Sequence, residues 1–254
     1  MPHTMSTKGN NHLLKTLSDQ DRQHFMASCT TVELVFADIL IEPGEPITHV
    51  YFPTESYISL LTPATDDCAA LAVGMVGNEG MLGNSVMLGM DVSPVRALVQ
   101  GPGLALRMKA APFRCELEQS ATLQGAMKRY LYVMLSQIAQ TAACTRFHVV
   151  EARLARWLLM TQDRAHSDTF YITHEFLAYM LGVRRVGVTK AASSLQKRKL
   201  IRYSRGEITI LNRRNLEAAS CGCYAAGVAA YTRIVGGNYQ NYQASPCRAN
   251  SNPI

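Results

Sequence analysis

The chain has 254 residues, 48% of them hydrophobic and 17% charged, an ordinary globular composition with room for one large domain or two modest ones. No run reaches the roughly 18 apolar residues of a membrane span, and "MPHTMSTKGNNHLLKTL" has no apolar core of signal-peptide length, so the expectation is a cytoplasmic protein without a membrane partner. Lys and Arg number 25 against 19 Asp and Glu, but the excess is uneven: residues 1–149 sum to −3 and residues 150–235 to +8, so a polyanion would meet the C-terminal third first.

In chain order, "LLKTLSDQDRQHFM" reads as a helix with Ser18 as N-cap and Asp19 and Asp21 in its first turn. From Val32 to about Met108 the chain is strand-like. "VELVF", "DILIEPGE", "HVYFP", "YISLL", "CAALAVGMV", "VRALVQ" and "LALRM" are short, rich in Val, Ile, Leu and Tyr, and broken by Gly, Pro, Asp and Asn. "EPGE" and "VGNEG" supply turn chemistry. Strand-sized runs at near-regular spacing predict an all-β barrel or sandwich.

The texture changes after Pro112. "ELEQSATLQGAMKRYLYVMLSQIAQTAACTR" holds no proline and one glycine. Met127, Leu131, Met134, Ile138, Thr141 and Thr145 recur at alternating steps of four and three, a coiled-coil-like seam over about three heptads. A long helix between two globular regions has few neighbours in its own chain. The spacing therefore predicts self-association, with Met127, Leu131, Met134 and Ile138 in the dimer seam. The competing reading is a helix packed on its own β domain.

The third region opens with "VEARLARWLLMTQDR", amphipathic through Leu154, Trp157, Leu158 and Thr161. "ITHEFLAYMLG" follows, with Thr173 as N-cap, Glu175 in the first turn and Gly182 as terminator. "VRRVGVTKAASSLQKRK" then sets Val188, Ala191 and Leu195 on one stripe and Arg184, Arg185, Val186, Thr189 and Lys190 outside it. "LIRYSRGEITIL" closes the region as a hairpin around Ser204-Arg205-Gly206-Glu207. Two helices joined by a short Gly turn, the second one basic, form a helix-turn-helix whose second helix enters the DNA major groove. Arg184, Arg185, Val186, Thr189 and Lys190 are then the base-reading candidates. Thr173, Lys197, Arg202 and Arg205 are the phosphate and wing candidates, which position the protein without reading sequence. The polar end, "GGNYQNYQASPCRANSNPI", reads as a disordered tail.

The seven cysteines are scattered, which fits reduced thiols better than a disulfide framework. Cys221-Gly222-Cys223 is the only close pair. No ligand partner stands nearby in sequence, so the pair reads as incidental helix-end thiols, and no metal or other cofactor is expected. His148, His166 and His174 read as ordinary surface or partly buried residues.

The stretch "ITHEFLAYMLGVRRVGVTKAASSLQKRKLIRYSRGEITIL" resembles the winged helix-turn-helix of the Crp/Fnr family of bacterial transcription regulators over its whole length. The order of β-rich domain, long helix and winged helix is also that family's. The resemblance implies an α+β fold: an N-terminal β-roll (jelly-roll-like, residues 1–117), a long dimerisation helix (118–147), a C-terminal winged helix-turn-helix (148–235) and a tail (236–254). It implies a homodimer on double-stranded DNA with a palindromic operator, and RNA polymerase as a further partner. By position, Arg185, Val186 and Lys190 fall where the family reads bases. The middle position is commonly glutamate there and is valine here.

The sensor half departs from the cyclic-nucleotide-binding members. Their Gly-Glu pair becomes Gly83-Asn84, and their phosphate-pairing arginine becomes Val95, with Arg96 one residue later. On a strand that offset turns the side chain to the other face. Asn84 and Arg96 mark the candidate effector pocket, and its ligand is not expected to be a cyclic nucleotide held in the family's way. Two other functions compete with this reading: a β-roll that docks a protein without binding DNA, and a cupin-like metal enzyme, against which stands that the strand region holds His49 as its only histidine. The expectation is a regulator, not an enzyme.

Overall fold

Ser18 accepts a hydrogen bond from the Asp21 amide at 3.1 Å and starts helix α1 (Asp19–Ala27). Seven strands follow: β1 (Thr30–Leu34), β2 (Ile39–Ile41), β3 (His49–Pro53), β4 (Tyr57–Pro63), β5 (Ala70–Val76), β6 (Arg96–Gly101) and β7 (Gly103–Lys109). Each coincides with one strand-like run of the sequence. All pair antiparallel, in sheets of order β1-β7-β3 and β2-β6-β4-β5. The computed structural model describes residues 10–63 and 70–236. Cys68, Cys247 and the tail expected at 236–254 lie outside the described residues, apart from Gly236.

The two sheets close on Phe52, Ile58, Val76, Met81, Val86, Ala97, Val99 and Met108, none more than 2% exposed. Phe25 of α1 meets Phe52 edge to face at 5.2 Å.

Helices α2 (Ala110–Gln119) and α3 (Ala121–Phe147) come next. The single helical run read from Glu116 to Arg146 is broken at Ser120. Its backbone is extended, and its hydroxyl caps α3 by accepting from the Leu123 amide at 3.1 Å. Helix α3 lies on the roll. Leu123, Met127, Tyr130, Val133 and Met134 are all buried in the roll's core. Gly80 makes room for Tyr130, because a Cβ there would stand 2.1 Å from the phenol oxygen.

This placement corrects half of the expected seam. Met127 and Met134 face their own chain, so a partner cannot reach them. Leu131 is half-buried, and Ile138 is exposed together with Tyr132 and Leu135. The cause is that α3, with 27 residues, carries two apolar faces. Heptad spacing reports that a face exists and not which body covers it.

The C-terminal unit comprises α4 (Val150–Ala165), β8 (Thr169–Tyr171), α5 (His174–Leu181), α6 (Arg185–Lys197), β9 (Ile201–Ser204), β10 (Glu207–Ile210), α7 (Arg213–Ala219) and α8 (Cys223–Ile234). Leu154, Leu158, Leu177, Val188, Leu195, Ile208 and Leu216 form a second core, all fully buried. Strand β8 completes a sheet of order β8-β10-β9. Helix α8 then returns along α3. Its end delivers Ile234 and Val235 to the core of the roll, and Tyr231 donates to the Glu79 carbonyl at 2.9 Å. Nearby, Arg164 of α4 pairs with the Glu79 carboxylate at 2.6 Å, both side chains largely buried. Among the described residues no helix is long and apolar enough to cross a membrane.

Candidate nucleic-acid interface

Thr173 caps α5 by accepting from the Phe176 amide at 3.1 Å. Gly182 ends that helix in the left-handed region, at φ +60°, where a Cβ would also press on Leu71 at 3.2 Å. Val183 and Arg184 complete the turn, and α6 begins at Arg185. This is the helix-turn-helix read from the sequence.

Helix α6 has two clearly different faces. Val188, Ala191, Ala192 and Leu195 are its buried underside, and burying the valine and the leucine stabilises the unit by about 1.5–3 kcal/mol each. Arg184, Arg185, Val186, Thr189, Lys190 and Lys197 are all exposed. Among the described residues, no carboxylate lies within 4.0 Å of the side-chain nitrogens of Arg184, Arg185, Lys190, Lys197, Arg202 or Arg205. Arg198, by contrast, is held by Glu151 at 2.8 Å. No side chain caps the N-terminus of α6; the Gly187 amide turns back to the Arg184 carbonyl at 2.8 Å, which leaves the Arg185 and Val186 amides for an acceptor from outside. Gly187 lies on this helix without a packing reason. A Cβ there would meet only Val150, at 4.0 Å.

Strands β9 and β10 pair Ser204 with Glu207 and Ile201 with Ile210. Arg205 and Gly206 both have positive φ, +51° and +84°, the two-residue hairpin turn whose twist matches the strands it joins. Gly206 is needed twice over, since a Cβ would strike the Tyr171 ring at 2.6 Å. The turn presents Arg205 to solvent, and Arg202 is exposed on β9 two residues before Ser204, which flanks the turn.

One participant was missed by sequence reasoning. His174, read as an ordinary residue, sits at the centre of the motif. Its Nδ1 lies 3.1 Å from the Thr189 hydroxyl of α6, and its ring stacks on Tyr203 of β9 with centroids 4.1 Å apart. Burial first, and then the charge of Arg185, hold its pKa below the ordinary 6.5. Its position directly after the cap residue Thr173 was visible in the sequence. Its contact with two other elements was not.

The effector residues are placed otherwise than expected. Arg96 points away from the interior of the roll: its Nε donates to Glu42 at 2.8 Å and its Nη1 lies 3.4 Å from the Tyr179 hydroxyl of α5. Neighbouring Val95 packs on the roll core and Ala97 is fully buried. The one-residue offset thus puts the guanidinium outside, against the helix-turn-helix. Asn84 is half-buried at the start of a short 3₁₀ turn, Asn84–Leu88.

A basic, outward-facing helix on a three-helix core with a hairpin wing, joined by a long helix to a β-roll, defines a winged helix-turn-helix fold. Residues 152–219 match the Crp-like helix-turn-helix domain. No curated protein matches the chain in sequence. Solved structures do match in fold. A transcriptional regulator of the CRP/FNR family from Thermus thermophilus is 20% identical, with a TM-score of 0.63 over 75% of this chain and 98% of its own. The c-di-GMP responsive global regulator CLP from Xanthomonas campestris is 16% identical, with a TM-score of 0.63 over 76% of this chain and 99% of its own. FixK2 from Bradyrhizobium japonicum is 13% identical, also with a TM-score of 0.63, over 76% of this chain and 98% of its own. The C-terminal unit is thus a Crp-like helix-turn-helix domain, and the whole chain shares its fold with these regulators.

Proposed function

We propose that two copies of this chain bind a two-fold symmetric DNA operator and read its bases with the N-terminal half of α6. The observation that carries this reading is the exposed set Arg184, Arg185, Val186, Thr189 and Lys190, free of carboxylates and held outward by a buried underside. Arg185 suits a bidentate contact to guanine O6 and N7, worth about 1–3 kcal/mol of discrimination. Val186 offers apolar contact, such as to a thymine methyl, and cannot accept from cytosine as a glutamate would. Thr173, Lys197, Arg202 and Arg205 would hold phosphates. The roll (1–117), the long helix (118–147) and the DNA-binding part (148–235) would divide sensing, pairing and recognition.

The pairing face is the exposed side of α3, where Leu131, Tyr132, Leu135 and Ile138 lie. A two-fold axis along that face would set the two α6 helices one helical turn of DNA apart. Against a cyclic nucleotide held in the family's way stand Val95 at the arginine position and the pairing of Arg96 with Glu42 at 2.8 Å.

Selection of bound fragments from random DNA tests the reading. The expected result is a palindrome whose binding weakens steeply with salt, because each neutralised phosphate adds about −0.9 to the log–log slope. Arg185→Ala relaxes the base preference at one position per half-site, while Arg202→Ala weakens all sequences evenly. A salt slope near zero, or unaltered selectivity in Arg185→Ala, overturns it.

A further inference from the structure

Three cysteines and a histidine, remote in sequence, converge where the long helix ends. Cys144 lies in the last turn of α3, and His148 is that helix's C-cap residue, four positions on and so over the same face. Cys221 and Cys223 flank Gly222 at the corner between α7 and α8. Cys144 Sγ is 3.4 Å from Cys221 Sγ, and Cys223 Sγ is 3.5 Å from His148 Nδ1. One donor atom from each of the four residues lies within 4.8 Å of the others. The three thiols are buried and the imidazole reaches solvent. The sequence reading of Cys221 and Cys223 as incidental thiols is thereby corrected: their partners come from 77 residues earlier in the chain.

We propose that Cys144, His148, Cys221 and Cys223 bind one tetrahedral zinc ion, which clamps the C-terminal corner of the DNA-binding unit to the end of the long helix.

The size of the cluster selects a single ion. Bonds of about 2.3 Å to sulfur and 2.0–2.1 Å to nitrogen set tetrahedral edges of roughly 3.5–3.8 Å, and the two closest pairs already stand at that spacing. An iron–sulfur cluster would spread its four ligands over two or more iron atoms, too far apart for all four donor atoms to lie within 4.8 Å of one another. Three thiolates and an imidazole are the donor set of structural zinc. A disulfide between Cys144 and Cys221 would leave the pairing of Cys223 with His148 without a purpose.

The surroundings fit the charge. Zinc with three thiolates and a neutral imidazole carries one net negative charge, and the thiol protons leave to solvent on binding. Arg153 and Arg156, both buried on α4, stand close enough to Cys144 to interact with its charge. Gln140 Nε2 donates to Cys223 Sγ at 3.0 Å, the outer-shell hydrogen bond that orients a metal-bound thiolate. The ligands straddle the joint at Val149 between α3 and α4. Occupancy would therefore stiffen the joint through which the DNA-binding unit is carried.

The test uses the full chain, purified without a polyhistidine tag under reducing conditions, and is independent of whether α6 reads DNA. Elemental analysis is expected to find about one zinc per chain. Cobalt added to the metal-stripped chain is expected to give the visible absorption of a tetrahedral thiolate complex. Cys221→Ser and Cys223→Ser lose the zinc, Cys115→Ser on the exposed surface keeps it, and His148→Cys retains it. Should the serine variants fail to fold, the cobalt titration of the unaltered sequence decides. A chain that retains no metal and gives no cobalt–thiolate band overturns the proposal, as does a Cys144–Cys221 disulfide without metal or an iron–sulfide chromophore in place of zinc.

Discussion

At the scale of single residues, α6 contains one position that separates folding from recognition. Glycine costs a helix interior about 1 kcal/mol relative to alanine, and at Gly187 there is room for the missing methyl. Gly187→Ala is expected to raise the thermal midpoint. If the DNA backbone passes close to Gly187, the same change lowers operator affinity, and a titration beside the melting curve distinguishes the two. His174 adds a dependence on pH. Its folded-state pKa lies below 6.5, so the unfolded chain takes up the proton first as the pH falls. The stabilisation from the neutral ring is complete above about 6.5 and is lost as pH drops through that value toward the lower folded one. Thermal melts between about pH 7 and pH 5 are expected to show a steeper fall for the native sequence than for His174→Gln. Coincident profiles would mean that the ring's contacts to Thr189 and Tyr203 carry no linkage.

At the scale of elements, α3 divides its apolar residues between two clients. Met134→Ala removes packing from the roll core and is expected to lower stability by about 2–5 kcal/mol, read as a lower urea midpoint, with the sedimentation coefficient unchanged. Leu135→Glu, on the open face, is expected to shift sedimentation toward the single-chain mass. If Leu135→Glu still sediments as a dimer, the pairing face lies elsewhere. The same helix shows what the sequence could and could not disclose. The seven strands were legible because β-branched and apolar runs end at Pro, Gly, Asp and Asn. The helix-turn-helix was legible because cap, glycine turn and basic face follow one another locally. The allocation of α3's faces was not, since it depends on how the roll folds back on it. Helix α8 was not, because "CYAAGVAAYTRI" carries small residues and no strong apolar stripe. The gathering of Cys144 and His148 with Cys221 and Cys223 is invisible in sequence for the same reason: only the return of α7 and α8 to the end of α3 creates it.

At the scale of the whole molecule, the roll and the DNA-binding unit share a charged tie. Arg164 and Glu79 are largely buried and paired at 2.6 Å. Removing one partner strands the other in a poorly solvated place, at a cost of about 3–5 kcal/mol. Arg164→Met is expected to unfold at markedly lower urea, and the double change Arg164→Met with Glu79→Gln to recover part of the loss. Equal midpoints for the single and double variants would show that the tie is already hydrated. The path of α8 has a consequence for movement. The recognition unit leaves the roll through α3 and α4, and its far end is sewn back into the same roll by Tyr231, Ile234 and Val235. A body hung from one string can swing in any direction, whereas one fastened at two points can only tilt about the line between them. A signal reaching this protein would therefore steer helix α6 along a single arc, and that arc is fixed by the dozen residues of α8.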